Sequence, residues 1–485
     1  MSAIYSRTVL MGALCLCFSA AHVCAQEDNG QPPASAPGTS SAEAQLGSDQ
    51  PYNAQQEIWN WHAQNTIIYQ GDPGFSARYS GPHSLIPGGE AKETISADLT
   101  VGVRVWDGGE LHVDGLAWQG FGLSHTLGIL AFPNAESYKS GTGIPNLMFS
   151  RLFLRQTIGF GGEQEDVPDG PFTLAGKEDI SRLTISVGRM SFLDAFDHNS
   201  YAGDSRSQFM NWALGANLTW DFGQDTVGYS LGTLVELNQQ DWTLRYGYFE
   251  MPMYINVGNF GSGNGGEDQF LTWPARGSFA PIFKSYSMAT EFERRYTVDS
   301  HPGAVRFLAW LNHSNIDTYK DATAILLAEG PDADISPAQA YHYAFGFGLN
   351  LEQEITGDIG AYSRIGWNDG QTQALEYSDA NWSTSLGVSI KGGAWGRPDD
   401  TVGFGGVLSG LSQHNQAFLN AGGLGIELGD GALTYGPETA FETYYSLKLL
   451  EGVATTFDYQ FVSNPGANRD RGPVSIFGIR LHSQL

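Results

Sequence analysis

Six arginines stand opposite apolar residues in segments of strict two-residue alternation: Arg104, Arg155, Arg245, Arg306, Arg364 and Arg480. In 97–106 the odd positions are Ala97, Leu99, Val101, Val103 and Val105, and the even ones are Asp98, Thr100, Gly102, Arg104 and Trp106. Four acids, Asp98, Asp114, Asp221 and Asp458, and three tryptophans, Trp106, Trp118 and Trp310, are read on the same side as the arginines. A guanidinium offers five donors in a fixed fork, a carboxylate offers only acceptors, and an indole ring offers a flat apolar face. Together they suit reversible contact with a hydrated polar solute.

Catalytic readings fare worse. Asp197-His198-Asn199-Ser200 has residue types used in hydrolysis, but neighbours on a strand or turn point different ways, and no Gly-x-Ser-x-Gly elbow presents a nucleophile. Gly261-Ser-Gly-Asn-Gly-Gly266 lacks the Lys-Ser/Thr ending of a phosphate loop and reads as a flexible connection. His301 and His313 are too far apart in sequence for a local metal pair, so no cofactor is expected. The acids Glu267, Asp268, Asp332 and Asp334 are at most a loop site for a divalent cation.

The elements that must carry the arginines are short strands, and an arginine aimed at lipid at mid-membrane costs about 2–4 kcal/mol, so repeated Arg opposite an apolar face points into water. The final stretch shows the same parity, with Phe477, Ile479 and Leu481 opposite Gly478, Arg480 and His482. No apolar run is long enough for a helical span of about 20 residues. The pattern predicts an all-β fold, a transmembrane antiparallel β-barrel of 16–18 strands around a polar lumen.

Expected strands are 58–69, 97–106, 111–118, 152–160, 183–189, 214–221, 231–237, 242–249, 305–311, 343–349, 359–367, 382–391, 401–408, 424–428, 444–450, 453–462 and 474–485. Residues 258–268 and 321–338 read as long loops. No repeat of fixed period and no second domain is visible.

Residues 1–25 read as a cleaved signal peptide: Arg7, an apolar run from Thr8 to Ala21, and a small-residue end at Val23-Cys24-Ala25. Residues 26–56, rich in Pro, Ser, Ala and acids, read as a disordered leader, and 57–485 as the barrel. All three cysteines fall at or before Cys24, so the exported part holds neither a disulfide nor a thiolate metal site. With 52 acidic and 25 basic residues the chain carries a net charge of −27, which argues against nucleic acid as a partner. The 62 glycines, 27 Phe, 21 Tyr and 12 Trp fit a barrel with turns and interfacial rings, set among outer-membrane lipids and lipopolysaccharide.

Leu183-Thr-Ile-Ser-Val-Gly-Arg-Met-Ser-Phe192 with Phe196-Asp197, Phe209 to Leu214 and Trp220-Asp221 resembles the carbohydrate-selective porin family of OprB type. So do Glu442-Thr-Tyr-Tyr445, Phe457 to Gly466 and Phe477 to Leu481. The resemblance implies a 16-stranded outer-membrane barrel of Gram-negative bacteria that passes glucose and related sugars passively into the periplasm. Such barrels usually end in Phe or Trp, where this chain has Leu485. If the resemblance holds, the inward Arg, Asp and Trp residues are the channel lining. A general porin without sugar preference is the alternative; a barrel with a lipid or ester hydrolase site, or an adhesive barrel with acidic loops, is more remote. Oligomeric state is not legible.

Overall fold

In the computed structural model, which describes residues 56–138, 141–225, 227–251 and 282–485, alternating residues form strands of 9 to 18 residues that close on themselves. The first strands are β1 (Trp59–Asp72), β2 (Glu90–Trp106), β3 (Gly109–Gly120) and β4 (Thr142–Gly159). A small hairpin, β5 (Gln164–Val167) and β6 (Gly176–Asp179), interrupts the wall. The wall resumes with β7 (Arg182–Met190), β8 (Ser230–Asn238), β9 (Trp242–Glu250), β10 (Tyr286–Val298) and β11 (His301–Asp317). It continues with β12 (Gln339–Thr356), β13 (Ile359–Asn368), β14 (Trp382–Gly392) and β15 (Arg397–Gly410). The last strands are β16 (Glu438–Leu450), β17 (Val453–Ser463) and β18 (Val474–Gln484).

Sixteen of these form a closed antiparallel barrel in which β18 pairs with β1, Arg480 facing Ile68 across the seam. Closure satisfies the ladder N–H and C=O groups between strands, as lipid requires. The outward parity is apolar and open: Leu99, Phe307, Ile365, Leu386, Phe457, Phe477 and Ile479 are each about half exposed or more. Phe307, Phe347 and Trp367 stack across β11, β12 and β13 at centroid spacings of 6.0 and 6.1 Å.

One end of the barrel has tight turns. Asp299 and Ser300 join β10 to β11 with φ of 49° and 70°, the double left-handed turn that suits a two-residue hairpin. The other end carries longer connections, including a helix at Tyr319–Glu329 and another at Gln413–Asn420.

Fifteen expected strands coincide with barrel strands, and three features differ. Residues 214–221 and 424–428 are not strands. The first includes the end of a one-turn helix, Trp212–Gly215, and the second is a connection whose Ile426, Glu427 and Leu428 amides donate to the Asp379 carboxylate. Strand β10 was not among the expected strands; its Glu291 and Glu293 find their partners on neighbouring strands rather than along the chain. The stretch 321–338, expected as a loop, contains most of the helix Tyr319–Glu329, while 258–268 lies outside the described residues.

The lumen is not uniformly polar. Residues 121–138 and 191–225 of two connections fold into the barrel and bring a hydrophobic core with them. Phe192 packs on Phe249 of the wall, Phe196, Trp220 and Phe222 pack around Phe192, and Trp212 packs on Phe132 at 5.2 Å. Each fully buried ring contributes about 1.5–3 kcal/mol to keeping the segment inside.

Candidate functional site

The segment 191–229 is shaped locally before it is clamped. Ser191 and Asp194 form a capping box at its start, Asn211 caps Trp212–Gly215, and Asp197 takes a left-handed conformation at φ 58°. Inward wall residues then grip its backbone. Glu442 accepts the Met210 and Asn211 amides at 2.6 and 2.9 Å, and Glu291 accepts the Asp197 amide at 2.8 Å. Glu352 accepts that of Ser200 at 2.6 Å. Glu438 does the same for the other in-folded connection, taking Leu130 and Ala131 at 3.0 and 2.7 Å.

The six arginines read from parity are inward, and five of them fall into two groups. Arg364 and Arg480 hold the in-folded chain. Arg364 donates from Nε to both Asp197 carboxylate oxygens at 3.1–3.2 Å, from Nη1 to Leu214 O at 2.7 Å and from Nη2 to Asp197 O at 3.1 Å. Arg480 donates to Ser205 O and Gln208 O at 2.6 and 2.8 Å and to Thr456. Both side chains are almost fully buried.

Arg155, Arg245 and Arg306 line a cavity of about 490 Å³ between the wall and residues Asp194–Tyr201, within the range of small-molecule sites. Arg245 donates to Glu236 at 2.7 Å and to Glu291 and Glu293 at 2.9 Å each. Arg306 donates to Glu293 at 2.8 Å and Glu352 at 3.1 Å, and its buried Nη1 has no hydrogen-bond partner among the described residues. These pairs run around the wall from β8 to β12 as an alternating ladder of charge. Arg155 donates to Phe172 O at 2.5 Å and lies 3.9 Å from Glu110. Tyr201 and Tyr296 supply ring surface to the cavity, whose lining reaches the tight turns at Asp241 and Pro302.

The other sequence candidates are scattered. Arg104 pairs with Glu110 at 3.2 Å and donates to Glu57 O. Asp98 pairs with Arg206 at 2.7 Å, and Asp114 with Arg151 at 2.8 Å. Asp458 accepts from Gln460 at 3.0 Å. Trp118 is buried against Tyr138 at 5.0 Å, and Trp310 is buried beside Gly346. Two readings of position need correction. Trp106 is 52% exposed at the tight-turn rim, because a register shift between Arg104 and Trp106 ends the alternation. Asp221 is not on a strand but in a connection, where it accepts the amides of Leu375, Glu376 and Tyr377 at 2.8–2.9 Å. Among the loop acids, Asp334 accepts from Ser336, while Glu267 and Asp268 lie outside the described residues.

Electrostatics follow from burial. Burial pushes the Glu136 carboxyl up, but the Arg206 charge and hydroxyls of Ser96 and Ser205 overcome it and hold the group below its ordinary range. His198 lies lower than a free imidazole, through burial and then through the charges of Arg245 and Arg306. A neutral ring fits its contact, Nε2 donating to Asp194 O at 3.2 Å.

The partners missed by sequence reading are chiefly the acids Glu236, Glu291, Glu293, Glu352 and Asp197. The first four share inward parity with the arginines, and that parity was their available signal.

A closed barrel with in-folded connections and a charged inner wall defines a porin. The profile of the carbohydrate-selective porin family, OprB, matches residues 82–485, and the chain belongs to that family. Its fold is similar to that of Pseudomonas putida OprB, with a TM-score of 0.65 at 14% identity over 88% of this chain and 94% of that one. Pseudomonas aeruginosa OccK2 aligns over 89% and 99% of the two chains at 10% identity, and Salmonella typhi OmpF over 88% and 97% at 9%. Both have TM-scores of 0.43. No curated protein sequence matches the chain. The protein is thus an outer-membrane porin, its tight turns at the periplasmic end and its long connections outside.

Proposed function

We propose that the channel passes glucose and related neutral sugars by passive diffusion, and that they make their selective contacts in the cavity walled by Arg155, Arg245, Arg306, Glu236 and Glu293. The observation that carries this reading is the ion-pair ladder on β8 to β12, which lines the same cavity as the rings of Tyr201 from the in-folded segment and Tyr296 from β10. Sugars are polyols with apolar C–H faces, and fixed donors, fixed acceptors and rings at close quarters suit both parts. Charges already neutralised by a neighbour bind a hydroxyl weakly enough to release it, as transport demands. Residues 1–25 serve as the export signal in this reading. Planar-bilayer conductance with added monosaccharide tests it: a saturable decrease in ion current supports sugar contact, and a current that follows bulk conductivity alone refutes it.

A further inference from the structure

Most connections at the periplasmic end are two to four residues long; the exception joins β4 to β7 through 160–181. It does not hang free. Its hairpin β5–β6 is pinned by Arg182, which pairs with Glu165 at 2.6 Å and Glu178 at 3.0 Å. The tip, 168–175, crosses to the inner face of β1. There Asn60 Nδ2 lies within hydrogen-bond distance of Asp169 Oδ1, Gly170 O and Thr173 O, at 2.6, 3.1 and 2.8 Å. His62 Nε2 is 3.0 Å from the same Asp169 oxygen. Glu57, two residues before β1, joins in, its amide donating to Ala175 O at 2.9 Å and the Ala175 amide to its carboxylate at 2.8 Å.

The tip also reaches into the lumen. Phe172 sits under the Arg151 guanidinium at 4.6 Å and packs near Phe153 and His112 at 6.2 and 6.4 Å. Because β2 and β3 lie between β1 and β4 in the barrel, a chord from β4 to β1 covers that sector of the mouth. Thr173, Leu174 and Glu178, from the inner side of the chord, line the cavity.

We propose that residues 160–181 form a docked strap that sets a second size filter at the periplasmic mouth, closing the β1–β4 sector and steering solute along the β7–β12 side. Phe172 and Asn60 are the specificity-determining residues, one filling the sector and the other latching the strap. The idea rests on the proposed sugar path only for the identity of the solute; the strap itself acts on any ion or polyol. An in-folded external segment and an in-folded periplasmic strap then bound the same cavity from its two ends.

The test uses the purified full-length protein in planar bilayers and in liposomes swollen with mono-, di- and trisaccharides. Asn60→Ala, Phe172→Ala and a strap shortened by replacing 164–179 with Gly-Asn are compared with the parent. Unlatching the strap raises ion conductance roughly two-fold or more and admits longer saccharides, since pore flux follows the narrowest lining. If folded Asn60→Ala and Phe172→Ala both keep the parent's conductance and size ladder, the strap is not a filter, whether or not the shortened chain assembles. A parent current indifferent to sugars, with conductance still raised in the strap variants, removes the sugar path and leaves the filter standing.

Discussion

Replacing Arg364 by Met takes the cation out of a buried pair and leaves Asp197 with its neutral donors, the Asn217 amide at 2.7 Å and Asn350 Nδ2 at 2.8 Å. It also strands Leu214 O, which Arg364 joins to the wall at 2.7 Å, and leaves Asp197 O with Asn350 Nδ2 at 3.0 Å in place of two donors. Removing one partner of such a pair costs about 3–5 kcal/mol, and at about 1.4 kcal/mol per tenfold the undocked population of segment 191–229 rises by roughly two to three powers of ten. The barrel ladder is untouched, so heat-modifiable migration persists. The segment contains one basic residue, Arg206, which is held inside by Asp98 and Glu136 at 2.7 and 3.0 Å. Tryptic cleavage after Arg206 follows the open population when reclosing is fast. It therefore speeds up by a comparable factor in Arg364→Met, and open-channel noise grows with it. Equal cleavage rates in folded parent and variant would refute the claim that this arginine is a clamp.

Three further outcomes follow from the same geometry. In β7, Val187→Arg places charge against lipid at about 2–4 kcal/mol, whereas Thr184→Arg places it in the cavity, so only the first lowers the yield of heat-modifiable barrel. Arg245→Ala leaves Glu236, Glu291 and Glu293 short of a cation, which weakens sugar block and shifts ion selectivity toward cations in reversal-potential measurements. At Gly360 a Cβ would fall 1.8 Å from the Tyr201 ring, so Gly360→Ala displaces a cavity-lining ring and changes single-channel conductance while migration stays normal.

What the sequence made legible was parity. A strand such as β2 shows its two faces directly, and the six arginines do point inward, because lipid tolerates them so poorly. What they touch was hidden, since an ion pair across strands such as Arg245 with Glu293 has no signature along the chain. Strand β10 escaped for the same reason: Glu291 and Glu293 look solvated until β9 and β11 supply Arg245 and Arg306 on either side. The converse error at 214–221 has a physical cause as well. A segment packed inside a barrel shows apolar alternation like a lipid-facing strand, although Leu218 and Trp220 are buried against other side chains rather than facing lipid. The strap and its latch at Asn60 rest on contacts more than 100 residues apart in sequence, beyond any local pattern.

In the proposed path, neutral polyols meet a fixed ladder of paired charge in the lumen. Ion current through single channels, recorded at constant salt while glucose is titrated against an inert osmolyte too large to enter, tests this most directly. A saturable fall in current, reduced in Arg245→Ala and Arg306→Ala, is the expected result; a current that tracks solution conductivity equally in parent and variants would contradict the sugar path.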